Sequence, residues 1–246
     1  MAAFIFLGEK DKAAAIKPLL LSLNHENKAV RRMAVRVLGS FGEKTDEVLP
    51  AVLRTLSDEV LSVRAEAVDA LRNFKSKPEL ILPALRLALK DKEIRTPVLR
   101  AIGNLGENAE AAVPDLLAIA EESPKFRKHV LSALGHIGEN AHVALPRLIT
   151  YLKDKDPGVG ATAAWALGKM GQKAQPAIPN LIASLQDKEY SIRVAAALAL
   201  PKIGKEAQVA IPHLLSLFKD QGNGVAHSAS EALAEFGESA IPALIT

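Results

Sequence analysis

The sequence predicts an all-α fold: a right-handed superhelix of about seven stacked antiparallel helix pairs, with half repeats at both ends. Three observations predict it. A proline, usually after a branched aliphatic, recurs at Pro18, Pro50, Pro83, Pro114, Pro146, Pro179, Pro212 and Pro242, about 32 residues apart on average. A period in this range is the signature of a stacked array, in which each unit buries its apolar face only against its neighbours. About a dozen residues after the proline comes an alanine-rich run ending in glycine, as in A-L-G-H-I-G at 133–138. Aromatics make up only 4% of the chain while Ala, Leu and Ile dominate, which suits closely packed helices.

The segment 178–204 shows how one repeat is built. Pro179 sits in the first turn of a helix, where the missing N–H has no intrahelical partner in any case. Ile178, Leu181, Ile182 and Leu185 then recur at helical spacing. Polar residues from Gln186 to Tyr190 break the pattern, and a second helix follows with its apolar face at Ile192, Ala196, Ala197, Leu200 and Ile203. Gly204 ends it in a left-handed position, and a polar link, KEAQVA, leads to the next Ile-Pro. The same parse starts helix pairs near Ile16, Leu49, Leu82, Val113, Leu145, Ile178 and Ile211. Their short connections make the two helices of each pair antiparallel.

The repeated residues read as structural. Asp58, Asp91, Asp154, Asp187 and Asp220, with Glu122 equivalent, precede the second helices. Arg31, Arg64, Arg95, Arg127 and Arg193 stand near their starts. These carboxylates are expected to cap the second helices and to meet an arginine of the same or adjacent repeat. Gly160 and Ala226 interrupt the arginine ladder and mark local weakness. The glycine pairs 39/42, 103/106, 135/138 and 168/171 follow helices, whereas a phosphate cradle precedes one. The first of each pair is expected to allow close helix packing and the second to end the helix. The second repeat carries Arg72 and Lys75 instead and adds S-K-P-E, making that junction a candidate bend.

The aspartate and arginine spacing of Leu56–Arg64 and Leu185–Arg193, followed by the A-L-G-x-I-G ending, resembles the short bacterial HEAT-like repeats of the phycobilisome-lyase type. The resemblance covers essentially all of 1–246 as a single array. It implies an α-solenoid with the second helices on its concave side. Met1 to Gly8 reads as the tail of a second helix and Ile241 to Thr246 as the start of a first one. The array is therefore expected to be a segment of a longer protein, or to self-associate through uncapped ends.

Composition bounds the function. The net charge of +3 and pI near 9.0 come from interspersed charges, short of a nucleic-acid surface. The absence of cysteine excludes disulfides and thiolate metal sites. The opening residues MAAFIFLGEK lack a basic region and a cleavage site, and no run has the length of a membrane span, so a cytoplasmic protein is expected. Among the six histidines, His129 and His136 are too far apart on one helix to hold one ion, and no HExxH occurs. His25-Glu26 is a lone dipeptide, whereas HEAT-like di-iron hydroxylases use several. No catalytic, cofactor or metal residues are assigned.

The informative residues are those that vary between repeats at solvent-facing positions of the second helices, which are expected to project from the concave face. Six positions before each terminal glycine stand Arg36, Asp69, Arg100, Ser132, Trp165, Leu198 and Glu231. Two before it stand Ser40, Asn73, Asn104, His136, Lys169, Lys202 and Glu235; nine before it stand Met33, Glu66, Pro97, His129, Thr162, Ala195 and Ser228. Trp165, the single tryptophan, and Leu198 form an apolar pair in a mostly polar column, as a binding hot spot does. Arg100, His129, Ser132, His136, Lys169 and Lys202 are expected around them. The alternative is that Trp165 merely fills a groove between helices. The leading expectation is a non-catalytic scaffold that binds a protein or peptide on this face. The resemblance also allows a bilin-lyase-like subunit handling a tetrapyrrole. Acidic Glu66, Asp69, Glu231 and Glu235 in the same columns argue against nucleic acid.

Overall fold

The computed structural model describes residues 9–42, 47–74 and 76–245, and among these it is helical with no strand. Two compact units divide the chain, Met1–Ala112 and Val113–Thr246. In the first unit the helices are α1 (Glu9–Ser22), α2 (Lys28–Phe41), α3 (Val48–Arg54), α4 (Leu61–Leu71), α5 (Pro78–Ala88) and α6 (Arg95–Asn104). In the second they are α7 (Val113–Glu122), α8 (Arg127–Ile137), α9 (Leu145–Tyr151), α10 (Pro157–Lys169), α11 (Ile178–Ser184), α12 (Tyr190–Ile203), α13 (Ile211–Ser216), α14 (Val225–Phe236) and α15 (Ile241–Ile245). The reading of Met1 to Gly8 lies outside the described residues, as does Lys75.

Even-numbered helices are the second helices of the repeats, and they stack on one another. In the first unit α2 packs on α4 and α4 on α6; in the second α8 packs on α10, α10 on α12 and α12 on α14. Each first helix packs against its own partner, as α11 does on α12. The predicted inner face of α12 is buried: Ile192, Ala196, Ala197, Leu200 and Ile203 are all within 3% of complete burial. Val63, Ile94, Phe126, Val159 and Val225 occupy the position equivalent to Ile192 in other repeats and are likewise shielded.

Small residues bring the second helices together. A β-carbon added at Gly39 of α2 would lie 2.5 Å from the Ala70 side chain of α4, and one at Gly168 of α10 would lie 2.9 Å from the Ala199 backbone of α12. At Gly39 and Gly168 the first glycine of the pair therefore removes a side chain from a helix–helix contact, as the sequence led us to expect. Gly204, expected in the left-handed helical region, instead adopts φ 124° and ψ −173°. Gly138 ends α8 at φ 71° and ψ −136°. Both lie in regions open only to glycine, so even asparagine is excluded there.

Three further expectations change. The links after the second helices are 3-10 turns, not polar coil, at Gly138–Ala144, Gly171–Ala177 and Lys205–Ala210. Residues three apart eclipse in a 3-10 helix, so Ala141 and Ala144, Ala174 and Ala177, and Ala207 and Ala210 all point inward and are fully buried. Helix α5 begins at Pro78, four residues before Leu82, because Pro78 occupies its first turn; S-K-P-E is the entry to a helix, not an added loop. The aspartates also do not cap the second helices. Asp58 accepts from the Val60 N–H at 2.9 Å, and Asp91, Asp154, Asp187 and Asp220 do the same to the residue two ahead. This is an Asx turn that shapes the entry to the helix.

Four of these aspartates also clasp the preceding repeat. Arg31 reaches Asp58 at 2.8 Å, Arg64 reaches Asp91 at 2.7 Å, Arg127 reaches Asp154 at 2.9 Å and Arg193 reaches Asp220 at 2.8 Å, each 27 residues along the chain. The same guanidinium groups donate to backbone carbonyls of their own inter-helix turn: Arg31 to His25 and Glu26, Arg64 to Asp58 and Glu59, Arg193 to Asp187 and Lys188. The break at Gly160 is a close approach, since a β-carbon there would stand 2.9 Å from Ile192 and 3.0 Å from the Leu152 carbonyl oxygen.

Burial pushes the Asp58 carboxyl up, but the Arg31 hydrogen bond, the Val60 N–H and the charges of Arg31 and Arg64 outweigh it and hold the group below its usual value. Hydrogen bonding from Arg193 does the same for Asp220 against its burial. A carboxyl depressed in the native state stabilises the fold above the unfolded value of about 4, and this contribution is lost as pH falls through the native value. Asp58→Asn is therefore expected to melt below wild type at pH 7, with the gap closing in melts recorded below about pH 4. A Gly168→Val variant, which forces a side chain into the α10–α12 contact, is expected to lose about 1–3 kcal/mol in urea unfolding.

Candidate partner-binding face

The expected site residues of the second unit lie on α8, α10 and α12, three consecutive second helices. Trp165 is half-buried on α10. Its ring lies across Gly135 of α8, where any β-carbon would overlap it. Trp165 therefore fills a groove at one edge, while its other edge faces an open cavity of about 470 Å³. Ser132 and His136 of α8 line this cavity with Trp165. The His136 ring sits 5.1 Å from the Trp165 ring, centre to centre, at a tilt of 56°. That is the tilted, offset arrangement aromatic rings favour.

His136 Nδ1 lies 2.7 Å from the Ser132 carbonyl oxygen. A carbonyl only accepts, so Nδ1 carries the proton and Nε2 remains an acceptor or, on protonation, a second donor. Lys169, one turn after Trp165, places its ammonium 6.0 Å from the ring centre, within the range of a cation–π contact.

Other expected residues fall elsewhere. Leu198 is half-buried on α12 and His129 is exposed on α8, but neither lines the cavity. Lys202 is exposed and bonded to Glu235 of α14 at 2.6 Å, so its charge is already matched. Arg100 is exposed on α6 and belongs to the first unit. In that unit Arg36 is similarly paired, to Glu66 at 2.8 Å. Arg36 and Lys202 are thus each held by an acidic residue of the next repeat.

The cavity also contains residues that the column count left out of the site: Lys128, Gly158, Ala161, Thr162 and Ser191. Ala161, Thr162 and Gly158 stand four, three and seven residues before Trp165, so ordinary helical spacing from the tryptophan would have found them. Glycine and alanine there leave the space open. The Thr162 hydroxyl donates to the Gly158 carbonyl at 2.6 Å. Among the described residues no group of three or more His, Asp or Glu is arranged to hold a metal, and no helix is long and apolar enough to cross a membrane.

Stacked antiparallel helix pairs with a partly apolar face on the second helices define the chain as an α-solenoid repeat protein. The profile described as HEAT repeats matches residues 16–91, 113–200 and 172–234, and the chain belongs to that family. None of the curated proteins matches it. Among solved structures it is similar to an engineered protein, at 20% identity and a TM-score of 0.60 over 93% of this chain and 71% of that one. It is also similar to the complex of CpcE and CpcF of phycocyanin lyase from Nostoc sp. PCC7120, at 21% identity and a TM-score of 0.53 over 90% and 93% of the two chains. Importin beta gives a TM-score of 0.70 at 14% identity; 94% of this chain matches 36% of that one. At these identities the likenesses concern the fold.

Proposed function

We propose that the chain is a non-catalytic scaffold that binds a protein or peptide on the outer face of its second helices, with Trp165 as anchor. One observation carries the reading. The single tryptophan is held rigidly against Gly135 yet keeps one edge on an open cavity, flanked by His136, Ser132 and Lys169. Aromatic side chains in this half-buried state supply binding energy without a large ordering cost, since their rotamer is already fixed. The surrounding groups give a ligand both donors and acceptors. The HEAT-repeat fold suits such a scaffold, and a complex of two protein chains is among the structures it resembles.

Trp165 is also its own reporter, because it is the only tryptophan in the chain. Random 12-residue peptides displayed on phage and selected on the purified protein should yield binders that shift its fluorescence. Trp165→Ala is expected to weaken them about 30-fold, corresponding to about 2 kcal/mol for a central hot spot. Lys202→Ala, which removes a charge already matched by Glu235, is expected to leave them within about twofold. Binders that survive Trp165→Ala unchanged would remove this anchor from the reading. Uptake of bilin with a visible absorbance change would instead favour the tetrapyrrole-handling alternative.

A further inference from the structure

The first unit contains a separate and larger cavity, of about 710 Å³, bounded by the end of α4, by α5 and by α6. Its origin is the second repeat's departure from the glycine pattern. In the α2–α4 and α10–α12 seams a glycine faces an alanine 31 residues ahead, Gly39 against Ala70 and Gly168 against Ala199. In the α4–α6 seam Arg72 takes the glycine's place, and Ala101 of α6 lines the same cavity as Arg72. A guanidinium and its stem do not fit between two helices in contact. Accordingly α4 packs much less extensively on α6 than α2 does on α4. The space left between them is of the size that holds a small ligand or a short stretch of chain.

The lining has a definite chemical character. Phe74, Ile81 and Leu85, all at most 2% exposed, form the apolar floor with Leu71 and Ala101. Around the mouth stand three carboxamides, Asn73, Asn104 and Asn108, with Asp69 and Arg72. Asn73 spends one N–H on the Gly39 carbonyl and Asn108 one on the Leu105 carbonyl, at 3.1 and 3.3 Å. Their oxygens remain available. The side chains of Asn104 and Arg72 make no hydrogen bond or ion pair among the described residues. Asp69 faces the positive charge of Arg36.

Donors and acceptors therefore both stand around an apolar floor, with one charge of each sign among the described lining residues. A phosphate offers only acceptors and would meet Asp69; a protonated polyamine offers only donors and would meet Arg72. A peptide backbone offers one donor and one acceptor per residue, the complement of a carboxamide. We infer that this cavity binds a short extended peptide segment, its backbone amides paired with Asn73 and Asn104 and one aliphatic side chain resting on the floor. The inference does not rest on the Trp165 reading, since every residue it uses belongs to the first unit.

The test is an amide NMR titration of the full, isotopically labelled chain with three probes at millimolar concentration: the capped peptide acetyl-Ala-Leu-Ala-Ala-amide, maltotriose and sodium octanoate. The peptide is expected to move the side-chain amide signals of Asn73 and Asn104, while the sugar and the fatty acid leave them in place. Asn104→Ala, an exposed change that does not threaten folding, should weaken the peptide about fivefold. Arg72→Gly restores the glycine of the other seams, and it should abolish these shifts without lowering the melting temperature. If octanoate or maltotriose moves the signals and the peptide does not, the ligand class is wrong. If no probe moves them, the cavity is a packing defect and not a binding site. Shifts near Trp165 in the same spectra report on the other site separately.

Discussion

The fold depends on second helices meeting with no side chain between them. Where Gly39 faces Ala70 and Gly168 faces Ala199, backbones approach at distances that only a missing β-carbon allows. These contacts fall toward the C-terminal ends of the helices. Near the N-terminal ends, the Arg31–Asp58, Arg64–Asp91, Arg127–Asp154 and Arg193–Asp220 pairs tie each repeat to the next. Where both occur, as between α2 and α4, a second helix is fixed to its neighbour at two separated points. Two points set both spacing and register, which is why so short a repeat stacks in one way. The arginine also satisfies carbonyls of its own turn, so one side chain both finishes a repeat and joins it to the next.

Much of this was legible in the sequence because periodic constraints leave periodic traces. The helix pairs, the buried face of α12 and the roles of the paired glycines follow from spacing alone. The misread elements share a different property: their decisive feature is local geometry that residue type conceals. KEAQVA looks polar, yet its two alanines lie three apart and a 3-10 turn buries both. An aspartate before a helix looks like a cap, yet its oxygen bonds two residues ahead and stops short of the helix proper. Pro78 looks like part of an inserted loop, yet it opens α5.

The candidate site divides along the same line. Trp165, Ser132 and His136 stood out as variations in a repeated column, and the structure brings them to one cavity. Gly158 and Ala161 did not stand out, because they contribute by taking up little space. Lys202 stood out for its charge, but cross-repeat pairing with Glu235 had already absorbed that charge. Variation in a column is therefore a necessary signal, and it becomes informative only after pairs one repeat apart have been removed. Arg36 with Glu66 is another such pair.

What survives that subtraction lies at the seams. Trp165 covers Gly135, so in the α8–α10 seam an indole ring lies against the glycine beside the Ala166 backbone that a β-carbon there would meet at 3.1 Å. Arg72 replaces the glycine outright, and α4 packs less extensively on α6 than α2 does on α4. The Arg72 departure weakens the helix contact on which stacking depends, and each of the two seams borders an accessible cavity in the compact unit where it occurs. A change that served stacking alone would close the seam, as glycine does in the regular repeats. Opening it costs packing and gains surface that a ligand can use, and this exchange is what a binding site built into a repeat array requires.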